Sequence, residues 1–574
     1  FIIHNHLYEK GITSMKPYAL YATDSVGDLQ ELVCRCTQKF ADKDAFRIRL
    51  NATEYRSVSF KQFGKDLCAL GNAIIHKELS GSRYAIIGEN TYEWILAYLA
   101  GTNSNTTVVP LDKELLETDI LDLVTRADIR AFFYSDTYAD IAKAVEERTG
   151  NTCVFINMSD VKPRTGHLSF SSLLELGYGL MAQGTDLFSG IEIDPLRPCA
   201  ILFTSGTTGK SKGVMLSHGN IATNVTAAVQ MIRFTDADTV LSVLPVHHSF
   251  ESTCGILCML HTGTTVCFNT SVKDLPSNLQ LFKPTGLVLV PLYVETFLKR
   301  IWSNAEKSGK AKKLRAAIRI TNFLQVIGIH VKRKVLKEVH DFFGGRLKKI
   351  IVGGAYTHPT LVQGLRDFDI QLLQGYGITE CSPLVSANRE FYYRDDSAGL
   401  VVPCCEVRID APSLLAGELL VRGTNVMLGY LDDPEATAAA FDGEWFKTGD
   451  IGYIDNCGFL HITGRCKNII VLKNGKNVSP EEIESHFQRY PLISQVIVTA
   501  GDADALGVDS LVAIFYPNPE IAEGTDRAAL TAMLQDIIDE INGQLPLYKR
   551  ITDFSVRDTP FPQTASKKII RYKV

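Results

Sequence analysis

Short apolar runs alternate with helix-length segments through most of this chain. The runs are rich in Val, Ile and Phe, and they occupy 84–88, 106–111, 130–135, 152–157, 201–206, 239–245, 264–269 and 286–291. Uninterrupted apolar runs of this length are typical of strands that are buried on both faces of a parallel sheet. Because segments such as EWILAYLAGTN separate them, the pattern predicts a layered α/β fold with mainly parallel sheets.

The pattern changes after about residue 395, where short alternating runs are split by Gly and Asp, as in antiparallel hairpins. From Lys467 a strand, a turn at Asn474-Gly475 and a helix that Ser479 caps and Pro480 opens begin a further unit. We therefore predict a large N-terminal domain, a small β subdomain within it, and a small α+β C-terminal domain. Their predicted bounds are 15–466, about 395–466, and 467–574.

Charge and cysteine content exclude several classes of protein. The 574 residues include 59 Lys or Arg and 64 Asp or Glu, a net charge of −5, so we expect no nucleic-acid partner. The 13 Cys are odd in number and show neither CxxC nor zinc spacing, which argues against a disulfide framework and a structural metal site. No apolar run approaches the roughly 20 residues of a membrane span. These features predict a cytoplasmic protein.

A loop rich in Gly and Thr follows directly after the apolar run at 200–203. It reads Thr204-Ser205-Gly206-Thr207-Thr208-Gly209-Lys210-Ser211-Lys212-Gly213. Glycines and short hydroxyl side chains allow backbone N–H groups to converge on a polyphosphate, while the lysines supply positive charge. The P-loop pattern GxxxxGK[ST] requires a glycine where Thr204 stands, which excludes that pattern. The loop therefore predicts a nucleotide site of another type.

This loop resembles the phosphate-loop signature of the adenylate-forming superfamily, which includes acyl-CoA synthetases, luciferases and the adenylation domains of peptide synthetases. Further motifs follow in the order typical of that family, and the similarity extends from about residue 30 onward. They are Gly353-Gly354-Ala355 and 374–380 for adenine, Thr448-Gly449-Asp450 and Gly464-Arg465 for ribose, and the terminal lysine motif at 562–569. The resemblance implies ATP, Mg²⁺ and CoA as cofactors.

The resemblance also implies roles for single residues. Thr204, Ser205, Gly206, Thr207, Thr208, Gly209 and Lys212 would hold phosphates, and Gly354, Ala355, Gln374, Gly375, Tyr376, Gly377, Thr379, Asp450 and Arg465 would hold adenosine. Tyr376 offers a flat apolar face to a purine, and Asp450 can accept hydrogen bonds from both ribose hydroxyls. Glu380 and the Thr207 hydroxyl are hard oxygen ligands for Mg²⁺. Each also fits a structural alternative, such as a turn filler, an Asx turn or a helix cap.

Lys568 is the predicted catalytic residue. Negative charge accumulates when a carboxylate attacks the α-phosphorus of ATP, and a compact ammonium group at that point lowers the barrier. Lys567 stands where family members commonly have Gly, so the sequence leaves open which of the two lysines enters the site. A lysine on a separate domain requires domain closure. The resemblance implies a mobile C-terminal domain with its hinge at Lys467 and a face for the CoA step around Gly475.

The stretch LPVHHSFE at 244–251 resembles the acid-binding element of acyl-CoA synthetases and places His248 in the catalytic site, with Glu251 nearby. A packed core histidine is the structural alternative. The insertion between Trp302 and Arg346 resembles the long-chain fatty-acid branch. The resemblance thus implies a ligase that forms acyl-AMP from a fatty acid and ATP and then transfers the acyl group to CoA. Loading of a carrier protein, an aryl-acid substrate and a non-catalytic sensor remain alternatives.

The segment 301–340 is strongly basic, with ten Lys or Arg and two Glu. Its apolar positions Ala317, Ile320, Leu324, Ile327 and Val331 are spaced by three or four residues, which predicts a helix with one apolar face between basic turns. Such a helix either packs against the core or lies transiently on an anionic membrane surface. The sequence predicts no oligomeric state.

Overall fold

The computed structural model describes residues 17–159, 163–204, 211–411, 416–472, 477–501 and 510–563, together with Ile569 and Arg571. Within this part of the chain, parallel and antiparallel strands form two large sheets and two small ones, with helices packed between and around them. The predicted α/β class is confirmed.

The strands of the first half are β1 (Asp44–Arg49), β2 (Tyr55–Ser59), β3 (Arg83–Ile87), β4 (Thr107–Pro110), β5 (Ala131–Tyr134), β6 (Val154–Asn157), β7 (Leu168–Ser169), β8 (Pro198–Thr204), β9 (Lys212–Ser217), β10 (Thr239–Ser242), β11 (Thr265–Phe268) and β12 (Gly286–Leu289). Each of the eight apolar runs contains or overlaps one of these strands, so those predictions are confirmed.

The later strands are β13 (Lys349–Val352), β14 (Gln371–Gly377), β15 (Leu384–Ala387), β16 (Gly399–Val401), β17 (Cys405–Asp410), β18 (Gly417–Gly423), β19 (Gly429–Tyr430), β20 (Phe441–Asp442), β21 (Trp445–Ile454), β22 (Phe459–Arg465), β23 (Ile470–Val471), β24 (Asn477–Val478), β25 (Ile493–Gly501), β26 (Ser510–Pro517) and β27 (Asp553–Val556).

The α-helices are α1 (Leu29–Lys39), α2 (Phe60–His76), α3 (Tyr92–Thr102), α4 (Glu117–Ala127), α5 (Ala139–Thr149), α6 (Phe170–Ala182), α7 (His218–Met231), α8 (Cys258–Thr262), α9 (Leu275–Phe282), α10 (Pro291–Lys307), α11 (Ala311–Val326), α12 (Lys332–Val335), α13 (Lys337–Phe342), α14 (Pro359–Asp367), α15 (Pro434–Ala440), α16 (Pro480–Ser485), α17 (Pro519–Ala522) and α18 (Arg527–Asn542). A π-helix over Phe250–Leu257 leads into α8.

The largest sheet has a parallel centre and an antiparallel arm. Its order is β17-β18-β21-β22-β16-β15-β14-β13-β12-β10-β11-β1-β2, and β20 pairs with β21. The strands from β14 to β1 run parallel, whereas β15 pairs antiparallel with β14 and starts the arm. The predicted short antiparallel strands after residue 395 are therefore present, but they extend this large sheet rather than form one of their own. The predicted domain bounds stay predictions.

The second sheet has the order β19-β9-β8-β4-β3-β5-β6-β7. It is parallel from β8 to β7, and β9 returns antiparallel beside β8. Helices α1, α2, α3 and α7 lie in the core between the two large sheets. Alternate residues of a strand point to opposite faces. Accordingly Val240 belongs to this shared core, and the adjacent Leu241 belongs to the core under α9 and α10.

A separate small core lies in the C-terminal part of the chain. Strands β25, β26 and β27 form a three-stranded sheet, and α16 and α18 pack on it around residues such as Phe487 and Leu534. The structure thus has a large N-terminal and a small C-terminal domain, as predicted. None of the helices in the described ranges combines the length and the hydropathy needed to cross a bilayer.

The basic segment forms helix α11, which confirms the predicted helix there. The predicted apolar face is correct only in part: Ala317 packs against the core, but two other members of the face do not. Ile318 and Thr321 are the buried positions, and Ile320 and Ile327 of the predicted face are 60% and 57% exposed. Val331 lies beyond the end of the helix. The reason is that α11 carries apolar side chains on two sides, so residue spacing alone does not show which side meets the core.

Two glycines of helix α6 give a matched test of the packing between α2 and α6. A Cβ atom on Gly177 would overlap the backbone carbonyl of Ala69 in α2, whereas a Cβ on Gly179 meets no atom within 4 Å. We expect Gly177→Ala to destabilise the protein by about 1–3 kcal/mol, because neither backbone can move aside. Gly179→Ala should stabilise it by about 0.5–1 kcal/mol through helix propensity.

The measurement is the midpoint of chemical denaturation for both variants and the parent. Equal midpoints for the two variants would show that the two helices do not approach as closely as described.

Candidate active site

The end of strand β14 brings a tyrosine between two tightly packed glycines. A Cβ on Gly377 would overlap the carbonyl oxygen of Pro383, and one on Gly375 would lie 3.1 Å from the Ser386 carbonyl oxygen. Only glycine therefore allows β15 to approach β14 this closely at 377. Tyr376 lies between these two glycines in the sequence. Its hydroxyl donates a hydrogen bond to Oδ2 of Asp450 at 2.6 Å.

Asp450 lies on β21 of the antiparallel arm and is 3% exposed. Its neighbour in register on β22 is Arg465, whose Nε lies 2.8 Å from Oδ1 of Asp450. Burial and the Asp450 charge hold the pKa of Tyr376 well above its usual value, so the phenol stays a donor. Each carboxylate oxygen of Asp450 thus keeps one lone pair, which is enough to accept two ribose hydroxyls.

Glu380 follows β14 on a single 3₁₀ turn, Thr379–Cys381. The hydroxyl of Tyr430 donates to its Oε1 at 3.1 Å, and the ammonium of Lys212 lies 4.5 Å from the ring centre of Tyr430. Burial raises the pKa of Glu380, while the Tyr430 hydrogen bond and the charge of Arg465 oppose this rise. The Thr379 hydroxyl lies 3.5 Å from that of Ser249, which connects this turn to the segment after β10.

The Glu380 carboxylate fits a role as a Mg²⁺ ligand. A carboxylate oxygen is the type of ligand that Mg²⁺ prefers. No group of three His, Cys, Asp or Glu in those ranges could hold a metal ion. Since Mg²⁺ in nucleotide sites is held by one or two carboxylates plus phosphates, one glutamate suffices. Thr207, the second predicted ligand, lies outside the described residues.

The two ends of the predicted phosphate loop meet in register. Thr204 ends β8 and Lys212 begins β9, and the two residues pair across the strands. Burial, followed by the positive charges of Arg465 and Lys212, lowers the pKa of Lys467. The charges of Arg465 and Lys212 thus act on Lys467, and Lys212 lies over the ring of Tyr430, which bonds to Glu380. Ser205, Gly206, Thr207, Thr208, Gly209, Gly475, Lys567 and Lys568 lie outside the described residues.

Three other predicted adenosine residues have different surroundings. Gly354 has a positive φ of 81° directly after β13, a conformation that favours glycine, and Ala355 beside it is exposed. Gln374 is buried, and its amide nitrogen donates to the carbonyl of Asp395 at 2.6 Å. This hydrogen bond holds the segment that leads into the antiparallel arm. The motif alone does not distinguish this structural role from a contact with the nucleotide.

The segment after β10 is fixed by Asn90, which the sequence analysis missed. The Asn90 amide donates to the carbonyl of Leu244 at 2.7 Å and accepts from the backbone N–H of Val246 at 3.2 Å. Asp112 is a second missed residue, with its Oδ1 3.4 Å from Nε2 of His247. Asn90 and Asp112 each follow the carboxyl end of a buried strand, β3 and β4. This position could have identified both residues from the sequence, because ligands bind at the carboxyl edge of parallel sheets.

The two adjacent histidines differ in environment. His247 is largely buried, and burial lowers its pKa to about 3, so it is neutral and its contact with Asp112 is not an ion pair. His248 is exposed, and its Nδ1 accepts from the backbone N–H of Phe250 at 3.3 Å. The predicted His248 is thus the accessible one of the pair.

Ser479 and Gly464 link the C-terminal part of the chain to the antiparallel arm. The Ser479 hydroxyl donates to the carbonyl of Thr463 at 2.6 Å, and a Cβ on Gly464 would overlap that hydroxyl. Ser479 precedes α16 and Pro480 opens it, as predicted, but the Ser479 side chain does not cap the helix. This part of the prediction is wrong because a carbonyl of β22 competes for the hydroxyl.

Comparison with known families agrees with this geometry. A family model described as AMP-binding enzyme matches residues 34–431, and one described as AMP-binding enzyme C-terminal domain matches 467–574. The chain belongs to the AMP-binding enzyme family. It is an adenylating ligase of the acyl-CoA synthetase type, as the motifs predicted.

Curated relatives of this AMP-binding enzyme carry fatty-acid names. It is 29% identical over 462 residues to "Long-chain-fatty-acid--CoA ligase FadD15" of Mycobacterium bovis, which covers 78% of this chain and 74% of the relative. It is 29% identical to "Fatty acyl-CoA synthetase A" of Dictyostelium discoideum over 89% of this chain and 82% of the relative. Human "Long-chain-fatty-acid--CoA ligase 1" is 28% identical over 87% and 75%.

Solved structures share the fold at lower identity. The anthranilate CoA ligase AuaEII in complex with anthranoyl-AMP has a TM-score of 0.78 at 18% identity and covers 97% of each chain. ATP-bound MatB from Rhodopseudomonas palustris has a TM-score of 0.73 at 22% identity, with 95% and 98% covered.

Glu251 of this AMP-binding enzyme is completely buried in the π-helix that begins at Phe250. Neither carboxylate oxygen makes a hydrogen bond within the described part of the chain, and a Cβ on Gly255 would lie 2.6 Å from its carboxyl carbon. Burial raises the pKa of Glu251 to about 8, although the Ser242 hydroxyl and the Leu244 backbone oppose the rise. Glu251 is therefore protonated at neutral pH.

This burial predicts a pH dependence of stability. Between the unfolded pKa of 4.5 and the folded value of about 8, the folded protein retains a proton that the unfolded chain has released. The free energy of unfolding should therefore fall as pH rises through this range, with a slope of up to about 1.4 kcal/mol per pH unit from this group. Glu251→Gln should remove that part of the slope.

The measurement is the denaturation midpoint from pH 5 to pH 8 for both proteins. Glu435→Gln, which changes an exposed carboxylate, is the control and should keep the parental slope. If Glu251→Gln also keeps it, the carboxyl group is ionised in the folded protein.

Proposed function

We propose that this enzyme activates a fatty acid of medium or long chain with ATP and then transfers the acyl group to CoA. One observation carries the proposal: Asp450, Glu380 and the cations Lys212 and Lys467 come from separate segments and lie together at the end of β14. One carboxylate suits the ribose of ATP and the other suits a cation bound to its phosphates. The neighbouring positive charges suit the phosphates themselves. The relatives' printed names support the fatty acid.

In the first step a carboxylate oxygen of the acid attacks the α-phosphorus of ATP. The bond from that phosphorus to the bridging oxygen breaks, and pyrophosphate leaves with the electron pair. Asp450 would hold the ribose, Tyr376 would face the adenine, and the lysines of the loop and hinge would balance the phosphate charge. Mg²⁺ bound at Glu380 would neutralise phosphate charge and orient the triphosphate. Lys568 would supply the ammonium that stabilises the transition state.

In the second step the thiol of CoA attacks the acyl carbon, and the sulfur–carbon bond forms as AMP leaves with its carboxylate-derived oxygen. The thiol proton is released to solvent. We propose that 15–466 and 467–574 rotate about Lys467 between the two steps, which brings the segment around Gly475 to the site in place of Lys568. The Ser479 contact with Thr463 then belongs to one of the two arrangements.

A substrate screen tests the fatty-acid assignment. We expect pyrophosphate release with ATP and palmitate, and palmitoyl-CoA on addition of CoA. Anthranilate, benzoate and amino acids serve as comparison substrates, because one structural neighbour is an anthranilate ligase. Activity with aryl or amino acids alone would contradict the fatty-acid proposal. A preference for a carrier protein over CoA in a competition assay would show that the carrier protein, and not CoA, accepts the acyl group.

A pair of lysine variants tests the catalytic proposal. Lys568→Ala should lower the rate of pyrophosphate release by about 10²–10³-fold, because it removes a charge that is aimed at the transition state. Lys567→Ala, its immediate neighbour, is the matched control and should stay within about threefold of the parent. A larger loss in Lys567→Ala would assign the role to Lys567. If neither variant loses activity, the lysine motif has no part in the mechanism.

A further inference from the structure

Helix α11 is held to the protein body along one side. Ile318 and Thr321 are buried, and Ala317 packs against the same core. The Asn322 amide donates to Oδ1 of Asp367 at 3.0 Å, and the guanidinium of Arg315 lies 5.3 Å from the centre of the Trp302 ring. These contacts fix the rotation of the helix about its axis, so its opposite side has a defined orientation.

That opposite side is apolar and uncovered in the described structure. Ile320, Phe323 and Ile327 follow one another at three and four residues, so they form one stripe, and they are 60%, 66% and 57% exposed. Val326, the last residue of the helix, is 62% exposed, and Ile329, three residues beyond the helix end, is 45% exposed. We call these five residues the apolar stripe. Large side chains grouped in this way on a surface indicate an interaction site.

Basic residues border the apolar stripe. At 100° per residue, Lys312 and Arg319 project between the directions of Phe323 and Val326 from earlier turns of the helix, and Lys313 lies about 20° beyond Ile320. All three are exposed, and none of them has an ion pair within the described residues. From 307 to 337 the sequence contains ten Lys or Arg and no Asp or Glu. Other cations of the region are already engaged, as Lys310 is with Glu338 and Arg333 with Asp369.

We propose that the apolar stripe and its basic border dock this enzyme on an anionic lipid surface. A helix that lies in a membrane interface inserts its apolar face to the level of the acyl chains while flanking Lys and Arg contact the headgroups. The exposed apolar side chains of α11 and the cations at the N-terminal end of the same face are together complementary to such a surface. A protein partner would need acidic residues at one end of a hydrophobic groove, whereas an anionic bilayer provides both features at any point.

The position of α11 connects this surface with the proposed function, on which this part of the inference rests. Helix α10 begins at Pro291, directly after Val290, whose side chain lies against Gly354. Burial and the charges of Glu114 and Glu251 raise the pKa of Tyr293 at the start of α10, so this end lies near the acid-binding segment. Its 17 residues span about 25 Å and end three residues before α11 begins. A docked enzyme would thus take up fatty acid where it is dissolved.

Sedimentation with vesicles tests the proposal on the full chain. The vesicles contain phosphatidylglycerol and phosphatidylcholine, and vesicles of phosphatidylcholine alone are the reference. We expect the parent protein to prefer the anionic vesicles and to detach as salt is raised. Reversal of Lys312, Lys313 and Arg319 to Glu should weaken binding at least about 100-fold, since each cation near such a surface contributes about fivefold. Phe323→Ser with Ile327→Ser should weaken it at least about tenfold.

Matched controls lie elsewhere on the surface. Lys61→Glu with Lys65→Glu reverses two exposed lysines of α2, and Leu196→Ser with Val272→Ser removes two exposed apolar side chains, and both pairs should bind as the parent does. Failure of the parent to bind, or equal losses in patch and control variants, would overturn the proposal. So would a parent dimer that the stripe variants convert to monomer, because the stripe would then be an interface between copies of the chain.

Vesicle binding is measured without ATP or acid, so its outcome is independent of the proposed chemistry. Pyrophosphate release with detergent-dispersed palmitate should be within about twofold of the parent in all these variants. Loss of that activity in the stripe variants would assign α11 a role inside the enzyme instead of at a membrane.

Discussion

The buried carboxylate of Asp450 is the interaction on which the organisation of the candidate site depends. It accepts a hydrogen bond from Tyr376 on β14 and forms an ion pair with Arg465 on β22, so it joins three strands at one point. Without these donors a buried carboxylate would carry a desolvation cost of several kcal/mol. Because the antiparallel arm continues the parallel sheet, this bond also fixes how the arm is oriented against β14. The residues proposed for adenosine thereby keep one geometry although they lie far apart in the sequence.

The charges around this point have a consistent arrangement. Asp450 is a buried acid and Glu380 a half-buried one, and burial followed by the charges of Arg465 and Lys212 lowers the pKa of Lys467. Like charges held together in this way repel one another until a polyanion binds between them. Such preorganisation is what phosphate transfer requires, because the charges need not move when the reaction occurs.

The sequence predicted best those features that depend on local pattern. Buried strands such as β5 and β12 were found because continuous apolar runs exclude other structures, and Asp450 and Tyr376 were found because their motifs were recognised. The structure adds that their side chains bond to each other, which neither motif contains. Asn90 and Asp112 were missed because each is a single polar residue after a strand, and only the order of the strands in the sheets brings them to the segment after β10.

Two further differences between the predicted and the observed structure have a common cause, because contacts within the tertiary structure compete with local ones. Ser479 has the sequence features of a helix cap, but the carbonyl of Thr463 takes its hydroxyl. Helix α11 has the spacing of an amphipathic helix, but its buried side is one step away from the predicted face. In both cases a residue that is distant in the sequence determines the contact, so the neighbouring sequence does not predict it. The uncovered side of α11 became recognisable only when the buried side was known.

Transfer of isotopic oxygen tests the central claim most directly. When palmitate labelled with ¹⁸O in both carboxylate oxygens reacts with ATP and CoA, attack at the α-phosphorus leaves one ¹⁸O in AMP and one in the thioester. We expect mass spectrometry of the products to show singly labelled AMP, with unlabelled pyrophosphate. Unlabelled AMP, or ADP together with labelled inorganic phosphate, would contradict the account, because the carboxylate would then not have attacked where Asp450 and Glu380 are proposed to hold the nucleotide.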